Sequence, residues 1–189
     1  MRQLCALILL VLLLPALQGC FPVVAAGAGT GALMADDRRT SGIFVEDEGI
    51  EIKTANRIGD ALKGEVHVNV TSFNRNVLLT GEARTAALRQ EAEQIAKGVA
   101  NVRDVTNEIT VSALTSFASR SNDTFITSKV KVRMLDANKF SPNHVKVVTE
   151  NGAVYLMGLV TRKEAEDAAE IARSTSGVQR VVKVFEYID

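Results

Sequence analysis

The sequence predicts an α+β protein: two tandem αββαβ units, each a three-stranded mixed sheet with two helices on one face, behind a signal peptide and a flexible tether. Three observations lead there. The chain repeats itself, since His67, Val68, Val70, Val77, Leu79 and Gly81 recur as His144, Val145, Val147, Val154, Leu156 and Gly158. Each copy alternates valines with polar residues and then runs into a long stretch rich in Ala and Glu. Only the first twenty residues read as a targeting segment.

Taken in order, Arg2 and the apolar run LCALILLVLLLPAL, residues 4–17, form a secretory signal. Fourteen residues make a helix of about 21 Å, short of a bilayer core of about 30 Å. The run ends in LQGC, and Gly19 before Cys20 resembles a lipobox, with Cys20 as the lipid-attachment residue after cleavage. The alternative is an ordinary signal cut near Ala26 that leaves Cys20 free. Residues 1–19 are therefore read as signal peptide and 20–48 as acylated cysteine and tether. The glycines of GAGTG, residues 27–31, lack the strand, the helix and the Lys-Ser/Thr of a phosphate loop.

Each unit opens on a helix, at about 51–63 and 122–136, and continues into a period-two strand, VHVNV or HVKVV. Asn151-Gly152 marks a hairpin, because both residue types tolerate positive φ. The first copy has NRN there. The second strand is expected to end at Gly81 or Gly158. A second helix follows, at 83–98 and 161–175, with Thr161 as N-cap and Glu164 as its capping-box partner. A last strand, at 104–111 and 179–188, closes each unit. The first unit spans 49–113, a linker 114–121, and the second unit 122–189.

Charge and chemistry narrow the function. The 22 basic and 22 acidic residues cancel, which disfavours non-specific nucleic-acid binding. The only cysteines are Cys5 and Cys20, so the mature domain has no thiol for a disulfide, a metal or a nucleophile. The two histidines occupy equivalent strand positions and make a poor metal site. No catalytic set, metal site or cofactor site is predicted.

The repeated NGxVxLxG, the AxxIAxxxxGVxxV run and the αββαβ order resemble the BON domain. LQGC, SNDTFITSKV and VKVVTENGAVYLMGLVTRKEAEDAAEIA together are similar to dual BON-domain outer-membrane lipoproteins of Gram-negative bacteria. The resemblance covers nearly the whole chain. It implies a periplasm-facing, lipid-anchored protein of the outer membrane without enzymatic activity or cofactor, and a role in envelope integrity. It also implies binding of anionic, phosphatidylglycerol-like phospholipid by the second unit. Asn151, Gly152, Gly158 and Gly81 are its structural turn positions. The first copy departs from the pattern at NRN and at KGVANV, where Asn101-Val102 stands in place of the Gly177-Val178 step.

The opening helix of the second unit carries two apolar stripes. Ile126, Val130, Met134 and Ala137 fall within about 80° of arc and should face the core. Phe125, Val132 and Leu135 fall within about 80° on another side, beside Lys129, Lys131 and Arg133. Aligning Ile58 with Val130 places Lys53, Asp60 and Lys63 at the second-stripe positions of the first copy. Two readings remain. The stripe packs on the other unit, or it enters a membrane interface while the three cations meet anionic lipid. A protein-interaction module for outer-membrane assembly or cell-envelope factors is the alternative function.

Overall fold

The structure is a computed structural model that describes residues 37–114 and 117–189, the side chains of 117–120 excepted. The signal peptide, Cys20 and the expected tether up to residue 36 lie outside the described residues. The first unit runs α1 (Ser41–Ala61), β1 (Val66–Phe73), β2 (Asn76–Ala83), α2 (Ala86–Lys97), β3 (Asp104–Asn107) and β4 (Thr110–Val111). The second runs α3 (Phe117–Ala137), a 3-10 turn at Pro142–His144, β5 (Val145–Glu150), β6 (Ala153–Val160), α4 (Arg162–Arg173) and β7 (Arg180–Tyr187). This is the αββαβ order twice over. In each unit the hairpin strands pair antiparallel and the strand after the crossover helix pairs parallel to the middle one.

Several boundaries differ from the sequence reading, each for a local reason. α1 begins ten residues early, because Thr40 takes the Ile43 N–H and caps it. Residues 41–48, assigned to the tether, are therefore helical. α3 likewise reaches back to Phe117, into the assigned linker. The last strand of the first unit breaks at Glu108–Ile109, where Asn107 Oδ1 accepts the Ile109 N–H and its amide bonds Arg89 O and Glu93.

Gly81 and Gly158 do not end their strands; β2 and β6 continue to Ala83 and Val160. A Cβ at Gly81 would stand 2.0 Å from the His67 carbonyl oxygen, and one at Gly158 would stand 2.2 Å from that of His144. Both glycines thus permit close approach of the neighbouring strand. The hairpin turn is kept in both copies. Asn74 and Arg75 have φ of 51° and 64°, as Asn151 and Gly152 have 48° and 74°. Asn101 (φ 70°) likewise holds the left-handed position that Gly177 (φ 97°) holds in the second copy. The first copy therefore retains the geometry with different residues.

Each sheet has two buried faces. Val77 and Leu79 of β2 pack under α1 and α2, as Val154, Leu156 and Val160 of β6 pack under α3 and α4. The alternate residues turn the other way and meet: Phe73 and Leu78 pack with Ala153, Tyr155 and Met157. The units thus form a sandwich, sheet on sheet with helices outside, in one compact body. Polar contacts tie its rim: Lys146 donates to Glu51 at 2.7 Å, Asn74 and Asn76 to Glu186 at 2.6 and 2.9 Å, and Arg180 to Glu108 at 3.1 Å.

Candidate functional site

α3 is seated by its buried face. Ile126, Val130 and Met134 are fully covered and belong to the second unit's core, with Ala137 half-buried beside them. Its start is locked by buried Asp123, whose two oxygens accept the N–H groups of Asn151 and Gly152 at 2.8 and 2.9 Å. The helix is thereby tied to the β5–β6 turn. Asp47 does the same for the first unit, accepting from Asn74 N and Arg75 N at 2.8 and 2.7 Å and also from Ser72 Oγ and Arg39. These two aspartates were missed in the sequence, although they stand at matching repeat positions.

They also correct the repeat register in this helix. Buried Asp47, Ile50, Thr54 and Ile58 match buried Asp123, Ile126, Val130 and Met134. Ile58 thus corresponds to Met134, one helical turn beyond the Val130 assigned above. The first-copy equivalents of Phe125, Val132 and Leu135 are Gly49, Asn56 and Gly59 rather than Lys53, Asp60 and Lys63. The contrast survives the correction: no large apolar residue occupies those positions in the first unit.

The second stripe faces outward. Phe125, Val132 and Leu135 are 63%, 55% and 65% exposed, uncovered by the other unit. The sheets, not this helix, make the contact between units.

The three cations divide. The Arg133 guanidinium donates to the carbonyl and hydroxyl oxygens of Ser174 at the end of α4. Its counterpart Arg57 donates to Gly98 O at 3.0 Å at the end of α2, so this arginine is part of the fold in both units. Lys129 donates to the Ser176 carbonyl, with its ammonium 4.8 Å from the centre of the Phe125 ring. Lys131 is exposed and makes no hydrogen bond or ion pair among the described residues. It stands between two grooves, one of about 410 Å³ shared with Arg39, Phe44 and Met134 and one of about 540 Å³ shared with Thr127 and Thr149. Among the described residues no cluster of three His, Cys, Asp or Glu side chains could hold a metal, and no helix is long and apolar enough to cross a membrane.

The BON domain family model matches residues 46–113 and 122–189, which is both units. The chain belongs to the BON-domain family. It is 43% identical over 175 residues to the outer membrane lipoprotein DolP of Haemophilus influenzae, covering 92% of this chain and 91% of that one. It is 37% identical to a 21 kDa hemolysin of Actinobacillus pleuropneumoniae, covering 80% and 79% of the two chains. It is 32% identical to the osmotically inducible protein Y of Escherichia coli, covering 74% and 72%. Among solved structures, the type III secretion protein CdsD of Chlamydia trachomatis shares 12% identity with a TM-score of 0.30, covering 71% and 91%. The relation to DolP makes this BON protein a lipid-anchored outer-membrane lipoprotein.

Proposed function

We propose that this lipoprotein is a non-enzymatic, periplasm-facing component of the outer membrane that binds anionic phospholipid through α3 and supports envelope integrity. One observation carries the reading: three large apolar side chains stand exposed on one side of α3, next to Lys129 and Lys131. A surface of this kind suits the boundary between headgroups and acyl chains. A fully buried side chain of this size contributes about 1.5–3 kcal/mol and a lysine near an anionic surface about 1 kcal/mol. Partial burial of three and two cations give on the order of 5 kcal/mol, a dissociation constant of roughly 0.2 mM. Weak binding suffices for a protein already tethered by its acyl chains, because tethering raises the effective concentration.

The test is a titration of anchor-free Phe125→Trp protein with phosphatidylglycerol and phosphatidylcholine vesicles. The tryptophan emission should shift to the blue with the anionic vesicles only, and Leu135→Glu should abolish the shift. No shift, or one that Leu135→Glu leaves intact, rejects the reading.

A second reading has its own observation. Val45 and Ile52 stand 68% and 59% exposed on α1, at positions where the second copy has serine. A protein partner such as outer-membrane assembly machinery would take that face. Crosslinking from membranes that survives Phe125→Glu but fails in Ile52→Glu would support it.

A further inference from the structure

The contact between the two sheets encloses acids. Glu150, at the end of β5, is buried, and its Oε2 accepts from Asn69 Nδ2 at 2.7 Å and Thr80 Oγ1 at 3.2 Å, both in the first unit. Glu82 follows Thr80 by two residues on the same face of β2 and is also buried. Across from it on β1 stands His67, whose buried Nε2 has no hydrogen-bond partner. The second unit thus sets a buried carboxyl against polar side chains of the first, at the wall of the groove that Lys131 also lines.

Charged and titratable groups on neighbouring elements stand around Glu150. β2 contributes Glu82, α3 contributes Asp123, β6 contributes Tyr155, and β1 contributes His67. Lys131 lines the same groove but makes no ion pair with Glu150. Burial is the main influence and raises the Glu150 carboxyl above its ordinary range. The Asn69 and Thr80 bonds oppose this, while the negative charges of Glu82 and Asp123 add to it.

We propose that Glu150, facing Glu82 across the junction, makes the contact between the two units acid-tightened, so that it is firmest when Glu150 carries a proton. A group that binds its proton more tightly in the folded protein stabilises that state fully below the unfolded-state value. The contribution is lost as pH rises through the higher folded-state value. The sensitive window therefore opens at the ordinary carboxylate range, about pH 4.3, and extends above it. Asp37, Glu93 and Glu164, whose carboxyls are held below the ordinary range, respond with the opposite sign. Glu164 titrates far lower, at about 2, so its contacts persist through this window. The effect reaches beyond stability, since the junction sets how α3 is presented relative to the first unit.

The experiment uses the mature protein from pH 8 to pH 5. Hydrogen exchange of the Tyr155 and Met157 region, corrected for intrinsic rate, should slow on acidification by up to about tenfold per pH unit, the limit for one proton. Glu150→Gln should remove that dependence and exchange slowly already at pH 8. If Glu150→Gln keeps the wild-type slope, the proposal is overturned. Should that variant fail to fold, carbon-detected titration of the Glu150 carboxyl in the wild-type protein decides. A midpoint at or below the ordinary glutamate value overturns it, and one above supports it.

Discussion

At the residue scale, the two buried aspartates do most to define this fold. Each spans from a helix to a hairpin turn whose central residues hold left-handed φ, and each satisfies two turn N–H groups that would otherwise be poorly paired. Asp123→Ala should cost about 2–4 kcal/mol, because it removes charge-assisted bonds and leaves buried donors unpaired. Urea denaturation measures this, and Asp47→Ala should behave alike in the first unit. Gly158→Ala should cost a comparable amount, since its new methyl would press on the His144 carbonyl from 2.2 Å. Glu164 gives a pH prediction. Bonds from Arg38 at 2.7 and 2.8 Å, against burial and with help from Thr161, hold its carboxyl down at about 2. A lowered value means stability present above the unfolded-state value and lost as pH falls towards 2. Arg38→Ala should move the Glu164 midpoint up towards the ordinary glutamate range in an NMR titration.

At the element scale, α3 separates what holds it from what it presents. Its core stripe was legible in the sequence, because 3.6-residue periodicity places Ile126, Val130 and Met134 on one side whatever lies beneath. The outer stripe was legible as apolar, but not as exposed. Lys129, Lys131 and Arg133 looked equivalent in sequence, yet Arg133 and Lys129 reach the carbonyl-rich end of α4 and Lys131 does not. Lys131→Glu should therefore weaken phosphatidylglycerol-vesicle binding several-fold with little change in stability. Arg133→Ala should lower stability by about 1 kcal/mol and affect binding less. Vesicle titration beside thermal unfolding separates the two. The early start of α1 was hidden because Thr40 and Ser41 sit in a stretch of small residues that reads as a tether until the cap is seen.

At the scale of the whole molecule, the decisive feature is the second buried face of each sheet. Leu78 of the first unit and Tyr155 and Met157 of the second are buried together in the cluster between the sheets. Leu78→Asp should separate the units while leaving each core intact, turning one thermal transition into two. A clue was present in β6, AVYLMGLV, which is apolar at every position except Gly158 and so calls for cover on both faces. The repeat, the element order, the hairpin turns and the inward stripe of each helix follow from the chain's own periodicity. Those features depend on neighbours three, four or two residues apart. What covers Leu78, what leaves Phe125 bare, and which donors meet Glu150 depend on groups tens of residues away, brought together by packing. Periodicity says which side of an element avoids water, and only the assembled body says whether a protein surface or something outside the chain lies against it.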